Sequence, residues 1–488
     1  MRDAPLPPAL AAGLVFLASG AVLVLEILGI RLLAPYVGLT LETTTTIIGT
    51  VLAGIAAGAA AGGRAADRMD ARRLIPELLI AGALLAVGVV PVVRTLGPAA
   101  SGGGDGAALT LALVALFPAA AVLSAVTPAV AKLQVRDLAA TGSVVGRLSA
   151  WATAGALAGT FGTGFVVVPL LPTDVAVFAV GGMLLAAGIA TALRARLRTR
   201  RAAAGIAAGA VLVGAATLAA GSPCDAESTY HCARVLADPA HPAVRILVLD
   251  DLRHSAVDLR DPRVLGFAYT RWIGDAVDGM APPRAALDAV FLGGGGFTLP
   301  RYLAATRPGS RSRVLEVDGA LVDLARERLG LRTGPALRVR TGDARVTLRD
   351  EPTASADLVV GDAFGGRSLP WHLATREFAV DVRRVLRPGG LYALNVIDAG
   401  PLDLVRAVGA TLLDGFPDVA LVARPGPGGR PRAGNLVYLA SETALPAGVR
   451  TTARGARTYG RAAVARFAAG SDVLRDDDAP ADQLLTPD

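Results

Sequence analysis

The stretch Phe291-Leu-Gly-Gly-Gly-Gly-Phe-Thr-Leu-Pro-Arg301 reads as a buried strand that ends in a glycine-rich turn. Two later segments, Val314-Leu-Glu-Val-Asp318 and Asp357-Leu-Val-Val-Gly-Asp-Ala-Phe364, are apolar strands that end in an acid. A turn without Cβ atoms lets a ligand approach the backbone closely beside a helix N-terminus. Together the three segments predict an α/β sheet that binds a nucleoside.

Strands and helices alternate around that turn. Strands are predicted at Ala289–Leu292, Arg313–Val317, Leu337–Arg340, Asp357–Val360, Leu391–Val396, Val419–Ala423 and Leu436–Leu439. Helices are predicted at Leu299–Ala305, Ala320–Leu329, Thr375–Leu386 and Leu402–Leu413. This pattern is typical of a doubly wound, mostly parallel sheet whose ligands lie at the carboxyl ends of the strands.

Acidic residues follow the glycine turn at successive strand ends. Glu316 can accept hydrogen bonds from both hydroxyls of a ribose, and Asp343 can bind an adenine amine. Asp362 lies where the reaction centre is expected. Each acid could instead cap a helix, because aspartate favours that position. The glycine turn and these three acids, in register at four successive strand ends, together favour the ligand interpretation.

The residues before Gly221 are the most apolar part of the chain. The 488 residues are 53% hydrophobic, and their mean hydropathy is +0.51, which is too apolar for an ordinary soluble protein. A transmembrane helix needs about 20 apolar residues. Seven candidates are Ala9–Leu33, Thr45–Gly63, Leu74–Val93, Ala107–Val130, Val145–Leu170, Val175–Leu193 and Ala202–Ala220. We therefore predict a multi-pass α-helical membrane domain over residues 1–221, without a cleavable signal peptide.

Basic residues predict the orientation of that domain. The net charge of +7 comes from 48 basic and 41 acidic residues, and arginines such as Arg64, Arg136 and Arg194 follow the second, fourth and sixth spans. The positive-inside rule places these loops in the cytoplasm. Seven spans then put the soluble domain outside the plasma membrane. The basic balance thus reflects a lipid bilayer, and no nucleic-acid partner is expected. Glu26 and Arg31, in or near the first span, have either a functional or a structural role.

Cys224 and Cys232 are the two cysteines of the chain, and they directly follow the last candidate span. In a domain predicted to lie outside the cell, cysteines so close in sequence favour a disulfide. A metal site is disfavoured, because two thiols and four histidines make a poor ligand set. Two inert buried cysteines remain the alternative.

The part beyond the last span divides into three predicted regions. Residues 222–262 are expected to form a small β-rich subdomain, and residues 263–445 the nucleoside-binding α/β domain. Residues 446–488 are predicted to be a partly disordered tail, in which the acidic run Asp476-Asp-Asp478 is solvated.

Several motifs resemble the spermidine synthase family, the polyamine aminopropyltransferases, in the bacterial form that is fused to transmembrane helices. These motifs are Glu227-Ser-Thr-Tyr230, Leu249-Asp-Asp-Leu-Arg-His254, Gly293-Gly-Gly295, Val314-Leu-Glu-Val-Asp318, Gly342-Asp343 and Asp362-Ala-Phe-Gly-Gly-Arg-Ser-Leu-Pro-Trp-His-Leu-Ala-Thr375. The likeness extends roughly from Glu227 to Leu439. It implies a doubly wound, Rossmann-like sheet of the class I methyltransferase type with a small N-terminal β subdomain.

The resemblance also implies chemical roles. In that family, decarboxylated S-adenosylmethionine is the co-substrate that donates an aminopropyl group to putrescine, and no cofactor is tightly bound. Asp362 would be the general base that deprotonates the attacking amine. The residues that would bind the nucleoside are Gly293, Gly294, Gly295, Glu316, Asp343, Ala344 and His254. The residues that would bind the acceptor are Tyr269, Gly296 and Asp362.

The chain departs from the family where the diamine binds. The family has aspartate where this chain has Gly296 and Gly365, and its Tyr-His-Glu is Tyr269-Thr-Arg271 here. The loss of these carboxylates puts putrescine in doubt as the acceptor. The acids that could replace them are Asp258, Asp261 and Asp398.

Three functions are compatible with these observations. The first is an aminopropyltransferase that acts on putrescine or another amine. The second is a non-enzymatic membrane protein that binds a polyamine or nucleoside and couples it to transport. The third is a methyltransferase that uses S-adenosylmethionine on the same sheet. No metal is expected, and the resemblance allows a homodimer.

Overall fold

The computed structural model describes residues 6–485, apart from 136, 138–139, 196–199, 281, 283, 367 and 451–454. Of the arginines named for the predicted orientation, Arg136 lies outside the described residues. The chain divides into two compact units, Met1–Cys232 and Ala233–Asp488. Each unit has its own hydrophobic core.

The first unit is almost entirely helical. Its helices are α1 (Pro8–Val37), α2 (Leu41–Arg68), α3 (Ala71–Ala100), α4 (Gly104–Ala115), α5 (Phe117–Ser124), α6 (Val126–Gln134), α7 (Thr141–Gly162), α8 (Val168–Leu170), α9 (Thr173–Arg194) and α10 (Arg200–Ala220). A π-helical turn, Thr163–Val167, joins α7 to α8. A two-residue strand, β1 (Ala226–Glu227), follows α10.

Six helices within the described residues are long and apolar enough to cross a membrane. They are α1, α2, α3, Phe117–Gln134, Thr141–Leu170 and α9. The prediction of a single helix over Ala107–Val130 is wrong, because the chain breaks at Leu116 and a new helix starts with Pro118 in its first turn. Proline lacks the N–H that would continue the preceding helix. The seventh predicted span, Ala202–Ala220, corresponds to α10, where part of the side chains lie outside the described residues.

Small residues bring the helices of this unit into close contact. A Cβ atom added to Gly58 of α2 would lie 2.0 Å from the carbonyl oxygen of Ala121 in α5. One added to Gly155 of α7 would lie 2.1 Å from the carbonyl oxygen of Phe16 in α1. Gly58 belongs to the sequence Gly54-Ile-Ala-Ala-Gly58 and Gly155 to Gly155-Ala-Leu-Ala-Gly159. Small residues at such spacing let helices approach closely, and only glycine permits these two approaches.

Arg31 near the end of α1 is fixed by the segment that follows α10. Its guanidinium donates to the carbonyl oxygens of Ser228 (2.5 Å) and Thr229 (2.9 Å) and lies 3.3 Å from Oε1 of Glu227. It also donates to the hydroxyl of Thr173 at the start of α9. A disulfide bond joins Cys224 to Cys232 around this segment. These contacts favour the structural role of Arg31.

The second unit contains two sheets. Its strands are β2 (which begins at Cys232 and ends at Ala237), β3 (Val244–Leu249), β4 (Leu252–Asp258), β5 (Asp288–Leu292), β6 (Arg311–Glu316), β7 (Leu337–Thr341), β8 (Ala356–Gly361), β9 (Leu386–Asp398), β10 (Asp418–Ala423), β11 (Gly434–Ser441) and β12 (Arg457–Tyr459). Its helices are α11 (Ala268–Met280), α12 (Thr298–Thr306), α13 (Gly319–Arg328), α14 (Ala344–Thr347), α15 (Arg376–Val385), α16 (Asp403–Gly415), α17 (Arg461–Phe467) and α18 (Ala481–Leu484). Strands β2, β3 and β4 form an antiparallel meander.

The larger sheet has eight strands in the order β12-β10-β11-β9-β8-β5-β6-β7. The pairs from β9 through β8, β5 and β6 to β7 are parallel, whereas β11 is antiparallel to both β9 and β10. The predicted doubly wound sheet of the class I methyltransferase type is therefore confirmed. The chain proceeds from β5 to β6 on one side and later returns to β8 on the other. Ligands of such sheets bind at this switch point.

Much of the predicted tail is folded. Strand β12 pairs with β10, and Leu474 and Ala481 are buried in the core of the second unit. Within the acidic run, Asp477 and Asp478 are exposed as predicted. Asp476 is exposed as well, and it also accepts hydrogen bonds from Arg345 (2.5 Å) and from the hydroxyl of Thr375 (2.7 Å).

Candidate active site

A cavity of about 630 Å³ lies at the carboxyl ends of β5 and β8. Its walls come from β4, the start of α11, the glycine turn after β5, the loop after β8, and the strands β9 and β11. Of the predicted site residues, it brings together His254, Tyr269, Gly293, Gly294, Gly295 and Asp362. The cavity therefore joins most of the predicted nucleoside and acceptor residues.

The glycine turn contacts the neighbouring strand end directly. Gly293 has a φ of 91°, and a Cβ atom there would lie 2.6 Å from the carbonyl oxygen of Asp362. The N–H of Asp362 donates to the carbonyl oxygen of Leu292 over 2.9 Å. The absence of a side chain at Gly293 thus allows the turn and the loop after β8 to meet at the switch point.

Glu316, at the end of β6, is held by the same turn. Its Oε2 accepts the N–H groups of Gly294 (2.6 Å) and Gly295 (3.4 Å), and its Oε1 accepts the N–H of Asp318 (2.9 Å). Burial raises the pKa of Glu316, and the backbone hydrogen bonds act in the opposite direction. These bonds fix the carboxylate next to the turn. Binding of a ribose by Glu316 remains a prediction.

Asp343 is a helix cap, as the alternative interpretation allowed. Its Oδ1 accepts the N–H of Arg345 (2.7 Å) and that of Val346 (3.3 Å) at the start of α14. Its Oδ2 lies 3.1 Å from Nε2 of His372, which the sequence gave no reason to place there. The neighbouring Ala344 is buried. These contacts show Asp343 as a cap. Binding of an adenine by Asp343 and Ala344 remains a prediction.

Asp362 is the centre of a hydrogen-bonded chain of side chains. The hydroxyl of Tyr269 donates to its Oδ2 over 3.0 Å, and Nδ2 of Asn395 donates to its Oδ1 over 2.9 Å. The Nδ2 of Asn435 in turn donates to Oδ1 of Asn395 over 3.2 Å. Sequence reasoning missed both asparagines. The signal that could have found Asn395 is its place in a strand that is otherwise apolar, where a buried amide needs partners.

The environment of Asp362 adjusts its acidity. Burial raises the pKa of Asp362 to about 6, while the hydrogen bonds from Asn395 and Tyr269 act to lower it. Burial and the nearby Asp362 carboxylate raise the pKa of Tyr269 well above its ordinary value, so the phenol stays protonated and donates. A carboxylate with a pKa near 6 is ionised at neutral pH yet basic enough to accept a proton.

Gly296 is closely surrounded. Its N–H donates to the hydroxyl of Ser255 over 2.9 Å, and an added Cβ atom would lie 2.7 Å from Cβ of Ser255 and 2.8 Å from Cγ2 of Val257. The family's aspartate therefore has no room here. Gly296 contributes backbone rather than a side chain to the acceptor region.

The acids that could replace the missing carboxylates have other roles. Asp258 and Asp261 accept backbone N–H groups in the turn after β4, and Asp261 also binds Arg263. Asp398 accepts the N–H groups of Ala399 and Val405 at the start of α16. Among the described residues that line the cavity, Asp362 is the one carboxylate and Arg253 supplies a cation.

The described residues contain no group of three or more His, Cys, Asp or Glu side chains that could hold a metal ion.

The chain was compared with known proteins. No family model matches it. A polyamine aminopropyltransferase of Vibrio vulnificus is 30% identical over 115 residues, which cover 23% of this chain and 38% of that protein. Polyamine aminopropyltransferase 2 of Streptomyces coelicolor is 40% identical over 161 residues, 29% of this chain and 28% of that protein. This chain is related to the spermidine synthase family. It spans well under half the length of these two curated relatives.

Among solved structures, a probable spermidine synthase from Corynebacterium glutamicum is 29% identical. The match covers 51% of this chain and 94% of that one, with a TM-score of 0.47.

Proposed function

We propose that the second unit transfers an aminopropyl group from decarboxylated S-adenosylmethionine to an amine, with Asp362 as the general base. The observation that carries this proposal is the position of Asp362: it lies at the switch point, in a cavity, with a pKa of about 6. The names of the curated relatives support the same reaction class.

The reaction needs one proton transfer and one displacement. Asp362 removes a proton from the ammonium group of the acceptor, because a protonated amine has no lone pair with which to attack. The amine nitrogen then forms a bond to the aminopropyl carbon next to the sulfonium. The carbon–sulfur bond breaks, its electron pair stays on sulfur, and methylthioadenosine leaves as a neutral thioether. Holding both substrates in line supplies much of the remaining acceleration.

Tyr269 and Asn395 position the base in this scheme. Two donors, one on each carboxylate oxygen, fix the plane of the Asp362 carboxylate and leave lone pairs for the amine. The donor nucleoside would lie over Gly293–Gly295, with Glu316 at its ribose, Asp343 and Ala344 at its adenine, and His254 in contact with the thioadenosine group.

One observation favours the non-enzymatic alternative. The disulfide between Cys224 and Cys232 is of a kind that persists in oxidising compartments, whereas S-adenosyl compounds are cytoplasmic metabolites. A domain outside the plasma membrane would bind a polyamine or nucleoside rather than transfer a group. A methyltransferase is the other alternative, because the sheet type serves both reactions.

The purified full-length protein in detergent tests the proposal. We expect methylthioadenosine and an aminopropylated amine, detected by mass spectrometry, from decarboxylated S-adenosylmethionine. Asp362→Asn should abolish both products, whereas Asp323→Asn, which changes an exposed surface acid, should not. Turnover of S-adenosylmethionine to S-adenosylhomocysteine would instead identify a methyltransferase. Binding of methylthioadenosine without any turnover would favour the non-enzymatic protein.

A further inference from the structure

The charges around the cavity do not suit a diamine. A diamine that has lost one proton to the base still carries an ammonium group at its other end. A cation removed from water needs a nearby counter-charge. Among the described cavity-lining residues, Asp362 is the one carboxylate, and it is committed to the reacting nitrogen. Arg253, in β4, adds a positive charge to the cavity lining.

Neither position 296 nor the three candidate acids supplies a second carboxylate to the cavity. Ser255 and Val257 occupy the volume that a side chain at position 296 would need. Asp258, Asp261 and Asp398 are engaged by backbone N–H groups in turns and at a helix start.

A pair of amides lines the cavity next to the base. Because the ionised Asp362 can only accept hydrogen bonds, Asn395 must present its NH₂ group to it and its oxygen to Asn435. Asn435 must then present its own NH₂ group to Asn395. The order of donors thus fixes both amides and leaves the Oδ1 of Asn435 as an acceptor. Within the described residues, no hydrogen bond to this oxygen is formed, and Asn435 lines the cavity.

We propose that the acceptor has one cationic nitrogen and a neutral hydrogen-bonding group at its other end, as in an amino alcohol, and that Asn435 binds this neutral group. The inference rests on the proposed function. A hydroxyl can donate to the amide oxygen of Asn435 without any need for a counter-charge. Among the described lining residues, the far ammonium of a diamine would find Arg253 and uncharged polar groups but no second carboxylate, so the site selects against it.

Three acceptors of equal length test this specificity in the full-length protein. They are putrescine, the amino alcohol in which a hydroxyl replaces one amine, and the amino acid in which a carboxylate replaces it. We expect kcat/KM for the amino alcohol to exceed that for putrescine by at least about tenfold. Equal or better use of putrescine would overturn the inference, and so would preference for the amino acid, which would indicate recognition by Arg253.

The variant Asn435→Asp tests the residue. It is nearly isosteric and supplies the missing counter-charge, so the ratio of putrescine to amino-alcohol kcat/KM should rise by at least about tenfold. If the substitution changes the basicity of Asp362, the change affects both acceptors alike. It therefore cancels in the ratio of their kcat/KM values. Asn435→Ser, which keeps a neutral polar group, should retain the preference for the amino alcohol. An unchanged ratio in Asn435→Asp would exclude contact between Asn435 and the acceptor.

Binding measurements separate this inference from the proposed function. Each amine is titrated calorimetrically into protein saturated with methylthioadenosine, which also shows that the variants are folded. If no acceptor reacts, the aminopropyl transfer is wrong, but tighter binding of the amino alcohol than of putrescine still supports the inference. Tighter binding of putrescine, or no binding of either, contradicts it.

Discussion

The hydroxyl of Tyr269 and the carboxylate of Asp362 lie 3.0 Å apart, although their residues are 93 positions apart in the chain. Tyr269 belongs to α11, and Asp362 follows β8. The phenol donates a hydrogen bond to the carboxylate that acts as the base in the proposed reaction. This hydrogen bond therefore connects the acidity of Asp362 to the helix that follows the small antiparallel sheet.

Tyr269→Phe should move the acidic limb of the pH–rate profile upward. The hydrogen bond from Tyr269 lowers the pKa of Asp362, so its loss raises that pKa further. The base must be ionised to act, so activity appears as pH rises through its pKa, near 6 in the wild type. The limb should shift upward by about 1–2 pH units, since hydrogen bonds to charged groups contribute about 1.5–3 kcal/mol.

Tyr302→Phe is the matched control for this shift. Tyr302 also donates to an aspartate, Asp278, over 2.8 Å, but neither residue lines the cavity. Its profile should keep the wild-type midpoint. An identical shift in both variants would mean that Tyr269 acts through general stability and not through Asp362.

Asp362→Asn should lose activity and gain stability at neutral pH. Folding raises the pKa of this group from 3.8 to about 6, so the folded protein binds the proton more tightly than the unfolded chain. Stability therefore falls as pH rises through this window, and above it the buried charge is destabilising. Removing the charge should stabilise the protein by about 1–3 kcal/mol at pH near 7.5.

Thermal unfolding at two pH values measures whether Asp362→Asn is more stable than the wild type. The hydroxyl of Tyr269 can rotate to accept from the new amide while Asn395 still donates to its oxygen, so both contacts of the side chain at position 362 can persist as hydrogen bonds. The melting temperature should exceed that of the wild type at pH near 7.5, and the difference should shrink near pH 5. If the variant melts at a lower temperature than the wild type at both pH values, the buried charge of Asp362 does not destabilise the folded protein.

The parallel sheet and the strand-end acids could be predicted from local sequence, but the amide pair could not. The apolar runs from Ala289–Leu292 to Leu436–Leu439 mark their strands without any knowledge of tertiary structure. Asn395 and Asn435 meet because β9 and β11 pair in one register, with Asn395 opposite Val437 and Asn435 opposite Ile397. That register depends on contacts between distant segments, which periodicity within one strand does not reveal.

In the membrane half, too, part of the structure could not be predicted from the local sequence. Mean hydropathy predicts one apolar stretch over Ala107–Val130, yet the backbone breaks at Leu116, before Pro118. Apolar composition does not distinguish one continuous helix from three short ones. The number of spans, and with it the predicted side of the soluble domain, therefore depends on helix breaks as well as on hydropathy.

Substitution by aspartate should lower the stability of the protein at Gly296 but not at Gly365, the two positions where the family has aspartate. At Gly296, aspartate would place its Cβ 2.7 Å from that of Ser255, and such overpacking costs about 1–3 kcal/mol. At Gly365, an added Cβ meets nothing within 4 Å, so the stability should change by less than about 0.5 kcal/mol. Chemical or thermal unfolding of Gly296→Asp and Gly365→Asp measures both effects.

A second substitution tests the cause at Gly296. Ser255→Gly removes the nearest atoms, so part of the lost stability should return in the double variant with Gly296→Asp. Strictly additive effects would show that Ser255 is not the source of the clash.

Labelling of Cys224 and Cys232 should decide which side of the membrane the soluble domain occupies. The two sulfurs are bonded to each other, and disulfides persist outside the cytoplasm. In intact cells, an impermeant maleimide should therefore react only after reduction with an impermeant reductant. A double Cys224→Ser and Cys232→Ser variant should not be labelled under any condition. Labelling that needs cell lysis but no reduction would put the domain in the cytoplasm with free thiols. The predicted orientation would then be wrong, and the aminopropyl transfer would have direct access to its donor.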